Sequence, residues 1–397
     1  MKTPRTSLLI TLTGRDRPGV TSRLFGVLAG HRLSVLDVQQ VVIRGRLVLG
    51  VLLGCDATPD LNEIHEAVDL LARDLGLEAE ITMGSAPSGE PAAAARGGRL
   101  HVTLLGSPLA PAAITAIAGR IAACGANIDR IGRLAQQPVT CIEMDVSGGD
   151  PATLREDLAR AAVDQGVDVA VQRGGLHRRA LRLIVMDVDS TLIQDEVIDL
   201  LAERAGCAAE VAKVTAAAMR GELDFAASLR ERVSLLTGLE AGILDEVRAG
   251  LRLTAGARTL VGTLHGLGYK SGIVSGGFVQ VIEPLAAELG IDYVAANELD
   301  IVAGKLTGRL RGPVIDRAAK ATALRRFAAA AGVPLSQTVA VGDGANDLDM
   351  IAAAGLGVAF NAKPAVRDAA DTSLSVPYLD AILYLLGIPS EDVAAGS

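Results

Sequence analysis

One order of apolar segments occurs twice in the first 175 residues, and this repeat limits the possible folds more than any other feature of the sequence. Segments that alternate apolar and polar residues predict strands, whereas apolar residues spaced three and four apart predict helices. In both copies the order is strand, helix, strand, strand, helix, strand, which is typical of a ferredoxin-like α+β domain. Residues 1–84 and 99–175 are the two predicted copies, and residues 85–98, rich in Gly, Pro, Ala and Ser, predict a linker. A repeat of this length indicates a duplicated domain.

The pattern changes from residue 181 to the end of the chain at residue 397, which we predict to be a third domain. Its apolar runs are bounded by glycine or polar residues and separated by helical segments, which favours an α/β fold with a parallel sheet and helices on both faces. The carboxyl ends of the strands are then the expected position of a site. An almost purely helical stretch at about residues 195–250 is longer than an ordinary crossover and predicts a helical cap over that site.

Composition excludes several classes of function. The chain is 50% hydrophobic and 21% charged, which indicates a globular protein. Aromatic residues make up 2%, Trp is absent and the net charge is −8 without a long basic run, so we expect no nucleic-acid partner. The amino terminus does not resemble a signal peptide and no stretch of about 18 uninterrupted apolar residues is present, so we expect a cytoplasmic protein without a membrane partner. Small molecules are the expected partners.

Acidic residues follow two of the predicted strands. Asp187 and Asp189 come directly after the apolar run at residues 183–186, and their spacing points both to one side of an extended chain. Asp343 and Asp347 follow a second strand. Two carboxylates about 4 Å apart repel by roughly 4 kcal/mol at an effective dielectric constant near 20, and a divalent cation removes this conflict. Because the nearby ligands are all oxygens, Mg²⁺ is the predicted ion.

A third strand end carries groups that suit a phosphate. Ser275 offers a hydroxyl, and Gly276 lets a ligand approach the backbone N–H groups before a predicted helix that begins near Phe278. Lys320 adds a positive charge if its helix leads back to the sheet. Each feature alone has an ordinary explanation, since Asp forms turns and caps, Ser-Gly-Gly forms loops and lysine lies on solvated helix faces. Their combination favours phosphoryl transfer.

In this combination the chain resembles the haloacid-dehalogenase-type phosphatases, and within them the phosphoserine phosphatase family. Two longer segments are similar to the cap region of that family, "DSTLIQDEVIDLLAERAG" and "MRGELDFAASLRERVSLLTG". The resemblance covers about residues 182–384. The four motifs that carry it are, in chain order, "DVDST" at residues 187–191, Ser275, Lys320 and "GDGAND" at residues 342–347.

The resemblance implies roles for the residues of these motifs. Asp187 is the expected nucleophile that forms an aspartyl-phosphate, and Asp189 is the expected general acid and then base. Mg²⁺ is expected to bind the Asp187 side chain, the backbone carbonyl of Asp189 and Asp343. The remaining phosphate-binding and supporting residues are expected to be Ser275, Gly276, Lys320, Asn346 and Asp347.

The resemblance also implies that the cap selects the substrate. Glu196 is expected to bind the substrate ammonium. Arg232 is expected to bind the α-carboxylate in a bidentate manner through its planar guanidinium group. Met219 and Phe225 are expected to close over the carbon chain of the serine and exclude water. Without the resemblance, Glu196 and Arg232 read as surface charges, and the other two as ordinary cap packing.

The two amino-terminal copies resemble ACT domains, regulatory modules that commonly bind amino acids. Asp16 and Gly19 lie in "TGRDRPGV", which is similar to the first strand-to-helix loop of that family and is expected to receive an amino-acid effector, serine in our hypothesis. The second copy lacks this element. An alternative is that both copies serve only dimerisation. Exposed edges of ferredoxin-like sheets favour a homodimer.

Taken together, the sequence predicts a Mg²⁺-dependent phosphatase that converts O-phospho-L-serine to L-serine and phosphate, the last step of serine biosynthesis, under amino-acid control. A competing hypothesis is an amino-acid-sensing regulatory protein whose phosphatase-like part has another role. A third keeps the enzyme but changes the substrate, as in a phosphotransferase or a phosphatase of phosphoproteins.

Overall fold

The structure, a computed structural model, describes residues 6–55, 61–85, 99–174, 178, 180–220 and 222–393. The chain divides into two compact units, residues 1–95 and 96–397. Apart from Ser85, which ends a strand, the predicted linker lies outside the described residues. In the described part of the chain, no helix is both long and apolar enough to cross a membrane.

The first unit is a four-stranded antiparallel sheet, in the order β2-β3-β1-β4, with two helices packed on it. Alternate residues of the first strand, such as Leu8, Ile10 and Leu12, are buried in the core with the helices. A two-residue turn at Arg44 and Gly45, both with positive φ, joins the second and third strands, as the twist of a hairpin requires. The elements are β1 (Thr6–Arg15), α1 (Val20–Leu28), β2 (Leu33–Ile43), β3 (Arg46–Cys55), α2 (Leu61–Leu75) and β4 (Leu77–Ser85).

The second copy has the same order of elements, which confirms the predicted ferredoxin-like folds. Its second helix begins where the Asp150 side chain accepts a hydrogen bond from the Thr153 N–H and ends at Gly166 in the left-handed conformation. The elements are β5 (Arg99–Gly106), α3 (Pro111–Ala123), β6 (Asn127–Ala135), β7 (Thr140–Ser147), α4 (Pro151–Gln165) and β8 (Asp168–Arg173).

The rest of the chain forms the predicted α/β domain with a helical cap. Its first strand is buried on both faces, because Ile184 and Met186 belong to one core cluster and Leu183 and Val185 to another. The elements are β9 (Leu183–Asp187), α5 (Val197–Ala205), α6 (Ala208–Met219), α7 (Phe225–Ser234), α8 (Ile243–Ala249), α9 (Ala257–Gly266), β10 (Lys270–Phe278), α10 (Val279–Leu289), β11 (Tyr293–Val302), β12 (Lys305–Arg311), α11 (Arg317–Ala331), β13 (Thr338–Gly342), α12 (Leu348–Ala353), β14 (Leu356–Phe360), α13 (Pro364–Arg367), β15 (Thr372–Leu374) and α14 (Ile382–Leu385).

The second copy and the α/β domain share one eleven-stranded sheet, in the order β12-β11-β10-β9-β13-β14-β15-β8-β5-β7-β6. The join is short, since β15 and β8 pair antiparallel at Thr372 and Ala170. Buried Arg178 strengthens it by donating hydrogen bonds to the backbone carbonyls of Tyr384 and Leu385 and by pairing with Glu143. The two predicted domains are therefore continuous through their strands.

Candidate active site

Three parallel strands place the predicted acidic groups at one edge of the sheet. Strand β9 lies between β10 and β13 and ends at Asp187, and β13 ends one residue before Asp343. One carboxylate oxygen from each of Asp187, Asp343 and Asp347 lies within 4.8 Å of the other two. The sheet therefore brings together three carboxylates that are far apart in sequence.

The chain turns sharply after β9 and fixes Asp189. Ser190 adopts a left-handed conformation with φ 58°, which is uncommon for a residue other than glycine and is typical of functional turns. The Asp189 carboxylate accepts hydrogen bonds from the Val197 N–H at 2.8 Å and from the Ser275 hydroxyl at 2.8 Å. Burial nevertheless raises the pKa of Asp189 above its ordinary value.

Lys320 is fully buried and bridges two of the carboxylates. Its Nζ lies 2.7 Å from Oδ1 of Asp187 and 2.7 Å from Oδ1 of Asp347. Burial lowers the pKa of this amine, but the two carboxylates more than offset that effect and raise the pKa, so the amine stays charged. Burial raises the pKa of Asp187 well above its ordinary value, against the opposing effect of Lys320. Even beside Lys320, Asp187 is therefore harder to ionise than an exposed aspartate.

The loop after β13 is built around Asp347. A Cβ at Gly342 would lie 2.3 Å from Cγ of Asp347, so only glycine fits there, and the Gly344 N–H donates a hydrogen bond to the Asp347 carboxylate at 3.0 Å. The Thr191 hydroxyl donates to Oδ1 of Asp343 at 3.2 Å. Burial, followed by the charge of Asp347, raises the pKa of Asp343 to about 6.

A cavity of about 540 Å³ lies between this edge of the sheet and the cap. From the sheet it is lined by Asp187, Asp189, Gly276, Asp343 and Asn346, and from the cap by Glu196, Asp199, Thr215, Phe225, Ser228 and Arg232. Ser275 and Lys320 are fully buried and reach the cavity only through the aspartates that they contact.

The cap side carries both predicted charges. Glu196 is exposed to the cavity and accepts a hydrogen bond from the Ser190 hydroxyl at 2.9 Å, yet the surrounding protein displaces enough water to raise its pKa to about 7. Half-buried Arg232 has a lowered pKa because burial outweighs its attraction to Asp199. A Cβ at Gly276 would lie 3.2 Å from Cζ of Phe225, so this glycine allows close contact with the cap. The side chain of Met219 lies outside the described part of the structure.

Several residues that line or support the cavity had not been singled out from the sequence. Ser190 and Thr191 were part of a quoted motif, and their hydrogen bonds to the site could have been suspected from it. Asp199, Thr215, Ser228 and Lys363 line the cavity as well. Nothing in their sequence context separates them from other polar residues of helices and loops, because only the packing of the cap brings them together.

The loop predicted to bind an effector lies in the first unit. Gly19 precedes α1 with φ 89°, and no atom lies within 4 Å of where its Cβ would be. Its positive φ, rather than crowding, therefore accounts for glycine at this position. Asp16 is exposed and its N–H donates to the carbonyl of Gly45 at 2.8 Å.

Comparisons with known proteins agree with this architecture. Residues 184–352 match the haloacid dehalogenase-like hydrolase family, and residues 6–82 and 100–172 each match a family of ACT domains. The chain is 58% identical to a phosphoserine phosphatase of Streptomyces coelicolor, over 98% of this chain and 94% of the relative. It is 51% identical to a phosphoserine phosphatase of Mycobacterium tuberculosis, over 98% and 95%.

A solved structure supports the same relationship. The unliganded crystal structure of a probable phosphoserine phosphatase from Vibrio cholerae is similar to this chain with a TM-score of 0.59 and 36% identity, over 76% of this chain and 90% of that one. The predicted ACT and haloacid-dehalogenase-like folds are thus confirmed. This chain belongs to the phosphoserine phosphatase family of haloacid dehalogenase-like hydrolases and carries two amino-terminal ACT domains.

Proposed function

We propose that this chain is a Mg²⁺-dependent phosphatase that hydrolyses O-phospho-L-serine to L-serine and phosphate through an aspartyl-phosphate at Asp187. One observation carries the proposal. The carboxylates of Asp187 and Asp343 meet at one wall of a cavity whose opposite wall presents Glu196 and Arg232. The first wall suits a cation and a phosphate, and the second suits the ammonium and carboxylate of an amino acid.

The donor set fits a hard divalent cation. The candidate ligand atoms of Asp187, Asp343 and Asp347 are all carboxylate oxygens, and Asp347 also binds Lys320 and the Gly344 N–H. The proposed ligands are those that the family resemblance implies, namely the Asp187 side chain, Asp343 and the backbone carbonyl of Asp189. When bound, the cation supplies positive charge that keeps these carboxylates ionised and reduces their repulsion of the phosphate.

The aspartates divide the chemistry between them. Both described hydrogen bonds to Asp187, from Val188 and Lys320, go to Oδ1, which fits Oδ2 as the atom that attacks phosphorus. As the bond from phosphorus to the serine oxygen breaks, Asp189 gives that oxygen a proton, and its raised pKa suits this role. Asp189 then takes a proton from water, which attacks phosphorus, releases phosphate and regenerates Asp187.

The remaining residues bind and orient the substrate in this proposal. Ser275, Gly276 and Lys320 hold the phosphate, directly or through the aspartates, and Asn346 and Asp347 support them. Glu196 attracts the ammonium and Arg232 pairs with the carboxylate. Phe225, together with Met219, covers the carbon chain.

Phosphate release from phosphoserine, with and without Mg²⁺, tests the proposal. We expect Asp187→Asn to lose more than about 1,000-fold in kcat while remaining folded, because the amide is not a nucleophile. Asp349→Asn is the matched control, since Asp349 lies in an exposed ion pair with Arg317. Wild-type-like release by Asp187→Asn would refute the mechanism, and release from aryl phosphates alone would refute the substrate.

We also propose control by an amino acid, serine in the simplest case, at Asp16 and Gly19, and assembly as a homodimer. Support for the dimer comes from β2, an edge strand whose apolar residues are largely exposed, including Ile43 at 65% and Val41 at 51%. Mass and activity measured together across a serine titration test both statements. A mass of one chain throughout would exclude the dimer.

A further inference from the structure

Four buried side-chain hydroxyls have no hydrogen-bond partner among the described residues, and two of them belong to residues that line the cavity. The four are Thr103, Thr215, Ser228 and Thr263. Only Thr215 and Ser228 line the cavity between the cap and the sheet. Because buried polar groups are nearly always paired, each such hydroxyl needs an explanation.

Helical serine and threonine residues usually solve this problem within their own helix, by donating to the carbonyl four residues earlier. Thr115 and Thr322 do so here, donating at 3.0 Å to the carbonyls of Pro111 and Ala318. Ser228 lies on α7 and is only 1% exposed, yet its hydroxyl makes no such bond. Its side chain is therefore shielded from water and also unpaired within the protein.

The position of Ser228 suggests its partner. It precedes Arg232 by four residues, so the two side chains lie on one face of α7, and the Arg232 Nε donates to the Ser228 carbonyl at 3.4 Å. Thr215 faces the same cavity from α6. Phe225 and Leu229 add apolar surface to the lining of this cavity. Both residues thus belong to the wall that carries the arginine.

We propose that the hydroxyls of Ser228 and Thr215 are specificity-determining groups that donate hydrogen bonds to the substrate carboxylate held by Arg232. This inference rests on the proposed function. A carboxylate accepts about four hydrogen bonds and a guanidinium fork supplies two, which leaves two acceptor positions for the hydroxyls. A pocket with such groups favours ligands that carry the carboxylate, because only these ligands pair the hydroxyls.

The test compares Ser228→Ala and Thr215→Val with wild type on phosphoserine and on p-nitrophenyl phosphate, which has no carboxylate. We expect KM for phosphoserine to rise about tenfold in each variant with kcat within about twofold, because a hydrogen bond to a charged group is lost. Kinetic constants for p-nitrophenyl phosphate should stay unchanged. Thr263→Val is the matched control, since it removes an unpaired buried hydroxyl on α9 that does not line the cavity.

KM for phosphoserine separates the outcomes, because removing an unpaired buried hydroxyl should raise the melting temperature in either case. A purely structural hydroxyl without a partner predicts that Ser228→Ala raises the melting temperature, as Thr263→Val does, and leaves KM unchanged, and that result overturns the inference. If wild type releases no phosphate from phosphoserine, the proposed function fails on its own. Calorimetric binding of phosphoserine then decides the inference, since it predicts weaker binding by Ser228→Ala and Thr215→Val but not by Thr263→Val, and equal affinity of Ser228→Ala and Thr263→Val contradicts it.

Discussion

The two walls of the cavity are built in opposite ways. On the sheet wall each carboxylate has hydrogen-bonding partners before any substrate arrives. On the cap wall, Arg232 has no ion pair within 4 Å among the described residues, and two hydroxyls are unpaired. We call these the sheet end and the cap end. The sheet end comprises Asp187, Asp189, Lys320, Asp343 and Asp347, and the cap end comprises Glu196, Asp199, Thr215, Ser228 and Arg232.

The difference indicates which part of the site is complete in advance. Transition-state charge is best stabilised by groups that need no rearrangement, and the buried network around Lys320 meets this condition. Selection of a substrate gains from groups that stay unsatisfied until the correct ligand binds. In the proposed function, the sheet end would therefore supply the chemistry common to many phosphate esters, and the cap end the preference for an amino acid.

The largest effect is expected when the positive charge of Lys320, at the centre of the sheet end, is removed. Lys320→Met leaves Asp187 and Asp347 buried without their shared cation, and we expect a loss of about 3–5 kcal/mol in the free energy of unfolding and loss of turnover. Urea denaturation without divalent cations measures the loss in the free energy of unfolding. Lys305→Met is the control, because its pair with Glu240 is exposed and should contribute less than about 1 kcal/mol. Equal losses would show that the buried pairs of Lys320 contribute no more to stability than an exposed pair does.

Asp343→Asn tests whether the sheet end is built for a cation. We expect the cation concentration for half-maximal activity to rise on the order of 100-fold, because a charged ligand is lost. The pKa of Asp343 is raised to about 6 from 3.8, so its contribution to stability is lost as pH rises through 6. The variant should thus be more stable than wild type at pH 7 without cation. An unchanged cation requirement would remove Asp343 from the ligand set.

The pH dependence of activity tests the role of Glu196 at the cap end. Displacement of water by the surrounding protein, followed by the charge of Asp189 and by smaller effects of Asp343 and Asp199, raises the pKa of Glu196 from 4.5 to about 7, and Arg232 lines the same wall of the cavity. Because only ionised Glu196 attracts the ammonium, we expect kcat/KM for phosphoserine to rise with pH through about 7. Its contribution to stability runs the other way and is lost between pH 4.5 and 7.

Glu196→Gln should abolish that limb of the profile and raise KM about tenfold, the equivalent of about 1.4 kcal/mol. An aryl phosphate without an ammonium group provides the control, and its profile should be the same for both proteins. If the variant keeps the wild-type pH profile on phosphoserine, Glu196 does not bind the substrate ammonium.

The sequence predicted the sheet end better than the cap end, for a physical reason. Asp187 and Asp343 follow apolar strands, and parallel strands bring their carboxyl ends to one edge, so their meeting followed from the pattern alone. Lys320 needed the family resemblance, since a lysine within a helix is ordinarily solvated. Thr215 and Ser228 gave no signal, because an unpaired hydroxyl is a property of packing in three dimensions.

The same limit applies to the fold. The repeat predicted two ferredoxin-like domains, and periodicity predicted the parallel sheet. That β8 joins β15 could not be predicted, because β15 has three residues and the pairing involves Thr372 and Ala170. Side-chain bonds from distant segments, such as Asp168 accepting from the Ser375 N–H at 2.8 Å, hold this join. A strand as short as β15 is too short to show a periodic pattern of apolar residues in the sequence.

The mildest change is Thr191→Val, which tests how finely the sheet end is arranged. Thr191 is fully buried and its hydroxyl donates one hydrogen bond, at 3.2 Å, to Asp343, while valine keeps the shape of the side chain. Because this bond lowers the pKa of Asp343, its loss should raise that pKa and weaken cation activation roughly two- to tenfold. Thr322→Val, at an exposed helical hydroxyl, is the control.

A cation titration at pH 6 and pH 8 separates two possible causes of weaker activation by Thr191→Val. A shifted pKa predicts a larger defect at pH 6, where more of the carboxylate is protonated, whereas a displaced carboxylate predicts equal defects at both pH values.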